Sequence, residues 1–359
     1  MPEQVFGMVM NFSFDPSLIA KARQLILHEP NLNVLKPEHE GQYSPLVVAI
    51  ETELKKRDAA GLLLLPDLSA LANSTIGIFS DYGGEDRSSK YLTYSFLICA
   101  WGSLGTFWNE MKKHRADSGL GEKEIEFKDF GMGLMRKALP GYLDLLNGYV
   151  PGLLFTVVVD KRILSLFGPQ DRSTGEALSK RLEEKGVGKL KPEVAEKALR
   201  VVDAMAYLTA LLGHEGQKIL WMSDNDAICS DLDAHKRLLA LFHNVLGLYI
   251  DRQFGQMGCA LPFNERSTDY LDLLSAADIV AGSVGQYFTS RDDVGEQDAR
   301  VKEGADKVLV WLGHGGLALK KFCIQLRLGD DGLIYFGAIE FTPKQTPDTT
   351  TFLPIHLCR

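Results

Sequence analysis

The chain has 359 residues, of which 45% are hydrophobic and 24% charged, so it can bury a large core as one elaborate domain or two modest ones. The formal net charge of −8 gives no overall basic surface, which argues against a module that only binds nucleic acid. No apolar run approaches the roughly twenty residues that span a bilayer, so we expect no membrane contact.

The cysteines are far apart and form no C-x-x-C pair, which argues against a zinc ribbon and against a disulfide framework. This pattern is typical of reduced thiols, and it favours a cytoplasmic protein. The five positions are Cys99, Cys229, Cys259, Cys323 and Cys358.

Residues 1–73 differ from the rest and are interpreted as a helical N-terminal extension. Asp15 and Ser44 are candidate N-caps, because each precedes a proline that can occupy the first helical position. The leucine run at 62–65 is expected to pack the extension onto the body. Residues 74–359 are interpreted as one α/β domain.

The second part begins with β-like runs and then alternates helices with strands, which favours a mixed α/β sheet flanked by helices. The runs at 76–80 and 91–101 flank a turn that contains Gly83 and Gly84, so they predict a hairpin. The polar stretch near 168–192 is expected to be a mobile surface insertion. The remaining predictions are helices at 103–116, 134–149, 231–246 and 268–289, a long helix from Pro192, strands at 153–160 and 218–224, and a closing hairpin of 322–328 with 333–341.

Two acidic residues directly follow apolar strands. Asp81 comes after the run at 76–79, and Asp224 comes after the run at 219–222. A turn-forming aspartate is the ordinary explanation for either residue alone. Asp226 follows Asp224 closely, so it is a candidate to replace Asp224 as a ligand.

A third acidic segment, Glu124-Ile125-Glu126-Phe127-Lys128, alternates charged and apolar residues. A strand here would place the three charged side chains on one face and the two apolar ones on the other. Taken alone, the pattern is that of a solvated edge strand.

The fourth acidic position is Asp278, within the predicted late helix. Its neighbours Ala276, Ala277, Ile279 and Val280 leave that stretch with very little polarity. A carboxylate in such surroundings is costly without a partner.

Four carboxylates brought together would repel one another unless a divalent cation neutralised them. We therefore predict a site for Mg²⁺ or Mn²⁺, which take oxygen ligands. Two such ions about 4 Å apart would activate a water and stabilise the leaving oxygen in phosphodiester hydrolysis. Lys128 is a candidate for orienting a phosphate. The candidate ligands are Asp81, Glu124, Glu126, Asp224, Asp226 and Asp278.

The order and spacing of these motifs resemble the domain of unknown function 3800 family, which has an RNase H-like fold. The likeness covers roughly residues 74–290, and its strongest part is Leu-Ser-Ala-Ala-Asp at 274–278. Ser275 departs from the glutamine that is usual there, and Asp-Tyr-Gly-Gly at 81–84 departs from the common Asp-Glu-Ser-Gly. The choice of Glu124 over Glu126 as a ligand rests on this resemblance.

The resemblance implies an RNase H-like nuclease or a related phosphotransferase. The leading hypothesis is thus a divalent-metal-dependent nuclease or phosphodiesterase acting on DNA, RNA or a nucleotide. The alternative is a catalytically silent RNase H-like scaffold that binds a protein or nucleic-acid partner. The altered first motif and the acidic net charge motivate this alternative.

Overall fold

The computed structural model describes residues 25–39, 41–262, 267–296 and 298–342. The predicted cap at Asp15 lies outside these residues. Within them, a seven-stranded mixed sheet is flanked by eight α-helices, which confirms the predicted mixed α/β architecture. None of the described helices has the length and apolar character needed to cross a membrane.

The elements largely follow the predicted order. The strands are β1 (Thr75–Gly83), β2 (Tyr91–Ala100), β3 (Gly152–Asp160), β4 (Lys218–Ser223), β5 (Met257–Ala260), β6 (Leu319–Leu328) and β7 (Ile334–Ala338). The helices are α1 (Pro45–Ala59), α2 (Gly105–Ser118), α3 (Gly133–Tyr149), α4 (Arg172–Glu184), α5 (Pro192–Leu212), α6 (Leu232–Leu246), α7 (Thr268–Val294) and α8 (Glu303–Gly313).

The strand order across the sheet is β5-β4-β1-β2-β3-β6-β7. Strands β1, β2 and β3 form an antiparallel meander, which includes the predicted first hairpin. Strand β4 runs parallel to β1, and β5 runs parallel to β4, so the same ends of these three strands meet at one edge. On the other side, β6 runs parallel to β3 and forms the predicted closing hairpin with β7.

The register of β1 and β4 brings their acidic ends together. Ser80 pairs with Ser223, so Asp81 and Asp224 occupy the next position on neighbouring strands. Side chains alternate between the two faces of a strand, which places Asp81 on the same face as Phe79. That face packs against α7 and belongs to a core shared with α2, α3 and α8.

The opposite face of the sheet is covered by α1, α5 and α6. Ser44 caps α1, accepting a hydrogen bond from the Val47 N–H at 3.4 Å, with Pro45 in the first turn as predicted. Val47 and Leu65 are buried in the core on this face, whereas Leu62 is exposed. The helical part of the extension therefore packs directly on the sheet.

The polar stretch 168–192 contains helix α4. Asp171 caps this helix by accepting a hydrogen bond from the Thr174 N–H at 3.0 Å. Leu182 is buried in a small cluster with Val187 and Ala195. The stretch thus contributes an ordered helix that packs on α5.

Helix α7 is 27 residues long and crosses close to β1 and β2. Ala281 and Gly285 are small enough to let the helix approach, and the Thr93 hydroxyl donates a hydrogen bond to the Ala281 carbonyl at 3.0 Å. This close packing brings Asp278 to the strand ends that carry Asp81 and Asp224.

Candidate functional site

Carboxylates from four separate parts of the chain line one small cleft. They come from the ends of β1 and β4, the connection between α2 and α3, and the middle of α7. The cleft has a volume of about 40 Å³, and its lining consists of Asp81, Glu124, Glu126, Asp224, Leu271, Leu274, Ser275 and Asp278. The structure therefore brings together five of the six ligand candidates named from the sequence.

Asp81 is the most deeply placed of these carboxylates, with 8% of its surface exposed. Its Oδ1 accepts a hydrogen bond from the Tyr82 N–H at 2.5 Å, and no cationic side chain in the described ranges pairs with it. Burial raises the pKa of Asp81 well above its ordinary value, and the charges of Asp278 and Asp224 raise it further. The side chain is thus held in a position that disfavours its charged form.

Asp224 lies beside Asp81 at the end of β4. Its N–H donates a hydrogen bond to the Ser80 carbonyl at 3.3 Å, which continues the pairing of the two strands by one position. Its Oδ1 accepts from the Asn225 N–H at 2.6 Å. Burial raises the pKa of Asp224, and the charges of Asp226 and Glu126 add to this effect.

Asp278 faces the cleft from α7 and joins the helix to the acidic segment. Its Oδ2 accepts a hydrogen bond from the Phe127 N–H at 2.8 Å. Burial raises the pKa of Asp278 to about 7, opposed by this hydrogen bond and reinforced by the charges of Glu126 and Asp224. The charged form of Asp278 is therefore disfavoured, as it is for Asp81.

The predicted strand at 124–128 is wrong. Residues 123–126 are irregular, and Phe127 begins a short 3₁₀ turn that ends at Asp129. Ile125 is buried as the alternation requires, but the Phe127 N–H bonds to the Asp278 carboxylate instead of a strand carbonyl. The segment packs against α7, and no described strand pairs with it.

Two glutamates of this segment line the cleft, and its lysine pairs with one of them. Burial raises the pKa of Glu124, and the charge of Glu126 raises it further. Lys128 Nζ is 2.7 Å from Glu126 Oε1, and 73% of the lysine side chain is exposed. The hydrogen bond to Glu126 raises the pKa of Lys128. Lys128 does not line the cleft, but its charge lowers the pKa of Asp278, so it lies within electrostatic range.

Asp226, the substitute ligand, does not line the cleft. One of its oxygens, Oδ1, accepts hydrogen bonds from the Ile228 N–H at 2.9 Å and the Cys229 N–H at 3.1 Å. The other, Oδ2, is 2.5 Å from Lys197 Nζ. Its charge still raises the pKa of Asp81, so it lies within electrostatic range of the cleft.

A buried ion pair beside the cleft was not foreseen from the sequence. Arg115 donates to both carboxylate oxygens of Asp272, with Nε 3.0 Å from Oδ2, and it also donates to the Gly121 and Lys123 carbonyls. The pair joins α2, the turn at 121–123 before the acidic segment, and α7. Arg115 continues the buried stripe of Phe107 and Met111 on α2, and this spacing is the signal that could have identified it.

The donors of the cleft suit a hard divalent cation, because they are carboxylate oxygens and, among the described residues, only Glu126 pairs with a cation. Within the described ranges, however, no group of three or more His, Cys, Asp and Glu side chains is arranged so that it could hold a metal ion. The cleft therefore brings carboxylates together, but their side chains are not arranged as a ready set of metal ligands.

A comparison with models of known protein families finds no match, and no curated protein matches the sequence. The resemblance to the domain of unknown function 3800 family accordingly stays a prediction that rests on the motifs themselves.

Proposed function

We propose that the acidic cleft is the active site of a divalent-metal-dependent phosphodiester hydrolase, an RNase H-like nuclease or phosphodiesterase related to the domain of unknown function 3800 family. The observation that carries the proposal is the convergence of Asp81, Glu124, Asp224 and Asp278 on one cleft with no cationic partner among the described residues. Buried carboxylates without a partner are costly, so a fold that retains several of them together calls for a compensating charge.

The topology supports the RNase H-like assignment. An antiparallel meander of β1, β2 and β3 continues through β1 into the parallel strands β4 and β5. Acids lie at the ends of the two central parallel strands, and a further acid reaches them from the late helix α7. This arrangement of strands and acids is the one expected for an RNase H-like fold from the order of the sequence motifs.

The size of the cleft limits what it can hold. A volume of about 40 Å³ suits an ion or a few water molecules, and it is far below the ~300 Å³ of a small-molecule pocket. A nucleic acid or nucleotide would therefore bind across the rim and present only a phosphate to the carboxylates.

The residues have different roles in the proposed reaction. Asp81, Glu124, Asp224 and Asp278 would hold Mg²⁺ or Mn²⁺, with Glu126 as an additional donor. The bound ion would supply an activated water and charge stabilisation at the scissile phosphate. Lys128, which is exposed and within electrostatic range of the cleft, can contact a phosphate oxygen of the substrate.

The test is a cleavage assay with single-stranded and double-stranded DNA and RNA and with a chromogenic phosphodiester, in Mn²⁺, in Mg²⁺ and in EDTA. The wild-type protein should cleave at least one substrate only with metal, and Asp81→Asn and Asp278→Asn should each lose that activity while remaining folded. Asp233→Asn is the matched control, because Asp233 is exposed on α6 and, in the described part of the chain, forms an ion pair only with Lys236. Equal cleavage by the wild-type protein and both cleft variants would refute the proposal.

One observation favours the second candidate, a catalytically silent RNase H-like scaffold. In the described part of the chain the carboxylates do not form a ready group of three ligands. A scaffold would show no metal-dependent cleavage of any of these substrates, and its cleft variants would not differ from the wild-type protein in metal response.

A further inference from the structure

A large groove lies between α4 and α6, on the opposite side of the sheet from the acidic cleft. Its volume is about 1030 Å³, at the upper end of the range for ligand pockets. Helix α4 and the residue after it contribute Leu178, Arg181, Leu182 and Lys185 to the lining. These positions are three or four residues apart, so they share one side of the helix.

Helix α6 forms the facing wall in the same way. Arg237, Leu241 and Val245 line the groove at intervals of one turn, and Leu248 lines it just beyond the end of the helix. The wall from Arg237 to Val245 is about 12 Å long, from the rise of an α-helix. Leu199 of α5 lies between the two walls. The groove is thus elongated along α6, with a cation at one end and apolar residues beyond it.

The cations of the two walls meet at the same end of the groove. Arg237 Nε donates a hydrogen bond to the Val187 carbonyl at 2.9 Å, which fixes the guanidinium beside the C-terminal end of α4. Lys185 lies two residues before Val187, and Arg181 lies one helical turn before Lys185. Three cationic side chains therefore surround one end of the groove.

These three charges are not compensated within the described part of the chain. None of the three side chains forms an ion pair there, and no described acidic side chain lines the groove. The Nη atoms of Arg237 also have no hydrogen-bond partner among the described residues. Arg181 and Lys185 repel each other at their spacing of one turn. In a protein of net charge −8, this cluster is suited to an external anion.

The rest of the groove is suited to a hydrocarbon chain. Leu178, Leu241, Phe167 and Ile334 are only half-buried, and Leu248 is 37% exposed. A ligand that covered these side chains would gain the free energy of removing their apolar surface from water. A free inorganic anion would leave that surface exposed, so the lining favours an anion with an apolar body.

We propose that the groove binds a small amphipathic anion, in which an oxyanion head, a carboxylate or a phosphate, is attached to an unbranched hydrocarbon chain. The head contacts Arg181, Lys185 and Arg237, and the chain lies along Leu241 and Val245. A guanidinium group can donate two parallel hydrogen bonds to either type of head. The site is separate from the acidic cleft and does not depend on metal binding there.

The test is calorimetric titration of the full-length wild-type protein with decanoate, decyl phosphate, butyrate and decanol, each below the concentration at which it aggregates. At least one of the ten-carbon anions should bind saturably with one-to-one stoichiometry. Butyrate, which keeps the head but shortens the chain, and decanol, which keeps the chain but lacks the charge, should each bind at least about tenfold more weakly. Tighter binding of decanoate would identify a carboxylate head, and tighter binding of decyl phosphate would identify a phosphate head.

Variants locate the binding site. Arg237→Gln should weaken binding of the anion at least about tenfold, and Arg237→Lys, which keeps the charge, should weaken it less. Lys185→Gln is a second variant at an exposed position. Lys236→Gln is the matched control, because Lys236 is an exposed cation on α6 that pairs with Asp233 and does not line the groove. Circular dichroism verifies the fold of each variant.

Three results would overturn the proposal. The first is absence of saturable binding of both ten-carbon anions to the wild-type protein. The second is equal affinity for decanol, which would remove the role of the cations. The third is an affinity that Arg237→Gln and Lys185→Gln reduce no more than Lys236→Gln does, which would place the bound anion elsewhere.

Discussion

Helix α7 carries two aspartates with opposite surroundings, Asp272, which is buried, and Asp278, which is partly buried. Asp272 is held by a two-pronged ion pair with Arg115. Among the described residues, Asp278 has only the backbone N–H of Phe127 as a hydrogen-bond partner, and it faces other carboxylates. The first is typical of a carboxylate that holds elements together, because its charge is compensated within the fold. The second is typical of a carboxylate kept for an external ligand. Local compensation of charge thus distinguishes the surroundings of the two acids, and it is the reason for proposing a structural role for Asp272 and a functional one for Asp278.

The largest expected effect on stability distinguishes these two residues directly. Asp272→Asn leaves the Arg115 charge buried without its counterion, so it should lower the free energy of unfolding by about 3–5 kcal/mol. Asp278→Asn removes an uncompensated charge, so it should change stability by less than about 1 kcal/mol or raise it. Urea unfolding of both variants at pH 7 measures the difference. Equal losses in the free energy of unfolding would contradict the distinction between Asp272 and Asp278.

The pH dependence of stability provides the next test. Folding raises the pKa of Asp278 to about 7, so between about pH 4 and 7 the folded state binds more protons than the unfolded one. The stabilising contribution of this group is therefore complete at low pH and is lost as the pH rises through 7, by at most about 1.4 kcal/mol per unit of pKa shift. Thermal unfolding without metal should show Asp278→Asn gaining stability relative to wild type over that range. A constant difference between the two proteins would contradict the unpaired state of Asp278.

A substitution at Gly282 probes the contact that positions Asp278. A methyl group there would overlap the Phe127 ring, which packs directly on α7. Gly282→Ala should cost about 1–3 kcal/mol, although alanine ordinarily stabilises a helix by about 1 kcal/mol. Gly148→Ala on α3 is the matched control, because nothing lies near its added methyl group. Chemical unfolding of both variants checks the prediction, and a stabilised Gly282→Ala would show that the packing is looser.

The smallest expected effect on stability is that of replacing Lys128. Lys128 is the exposed member of an ion pair with the partly buried Glu126, so Lys128→Met should change the free energy of unfolding by less than about 1 kcal/mol. If Lys128 contacts the substrate phosphate, the variant should have a higher KM with little change in kcat. Steady-state kinetics on the best substrate would show this, and an unchanged KM would remove Lys128 from the site.

The sequence predicted the strands at 76–80 and 218–224 and the acid after each, because an apolar strand followed by an acid is a local pattern. The parallel pairing of the two strands, which places Asp81 beside Asp224, came only from the structure. It failed at residues 124–128, where alternation mimicked a strand but the N–H of Phe127 found a carboxylate on a distant helix. It also missed the pairing of Arg115 with Asp272. Partners far apart in sequence and brought together only by tertiary packing leave little local signal.

Isothermal titration of the metal-free protein with Mn²⁺, combined with thermal unfolding, tests the central claim most directly. The account predicts saturable binding that raises the melting temperature, and it predicts loss of both effects in Asp81→Asn and Asp278→Asn but not in Asp233→Asn. Absence of binding and of stabilisation in the wild-type protein would contradict the claim that the cleft carboxylates are kept uncompensated for a divalent cation.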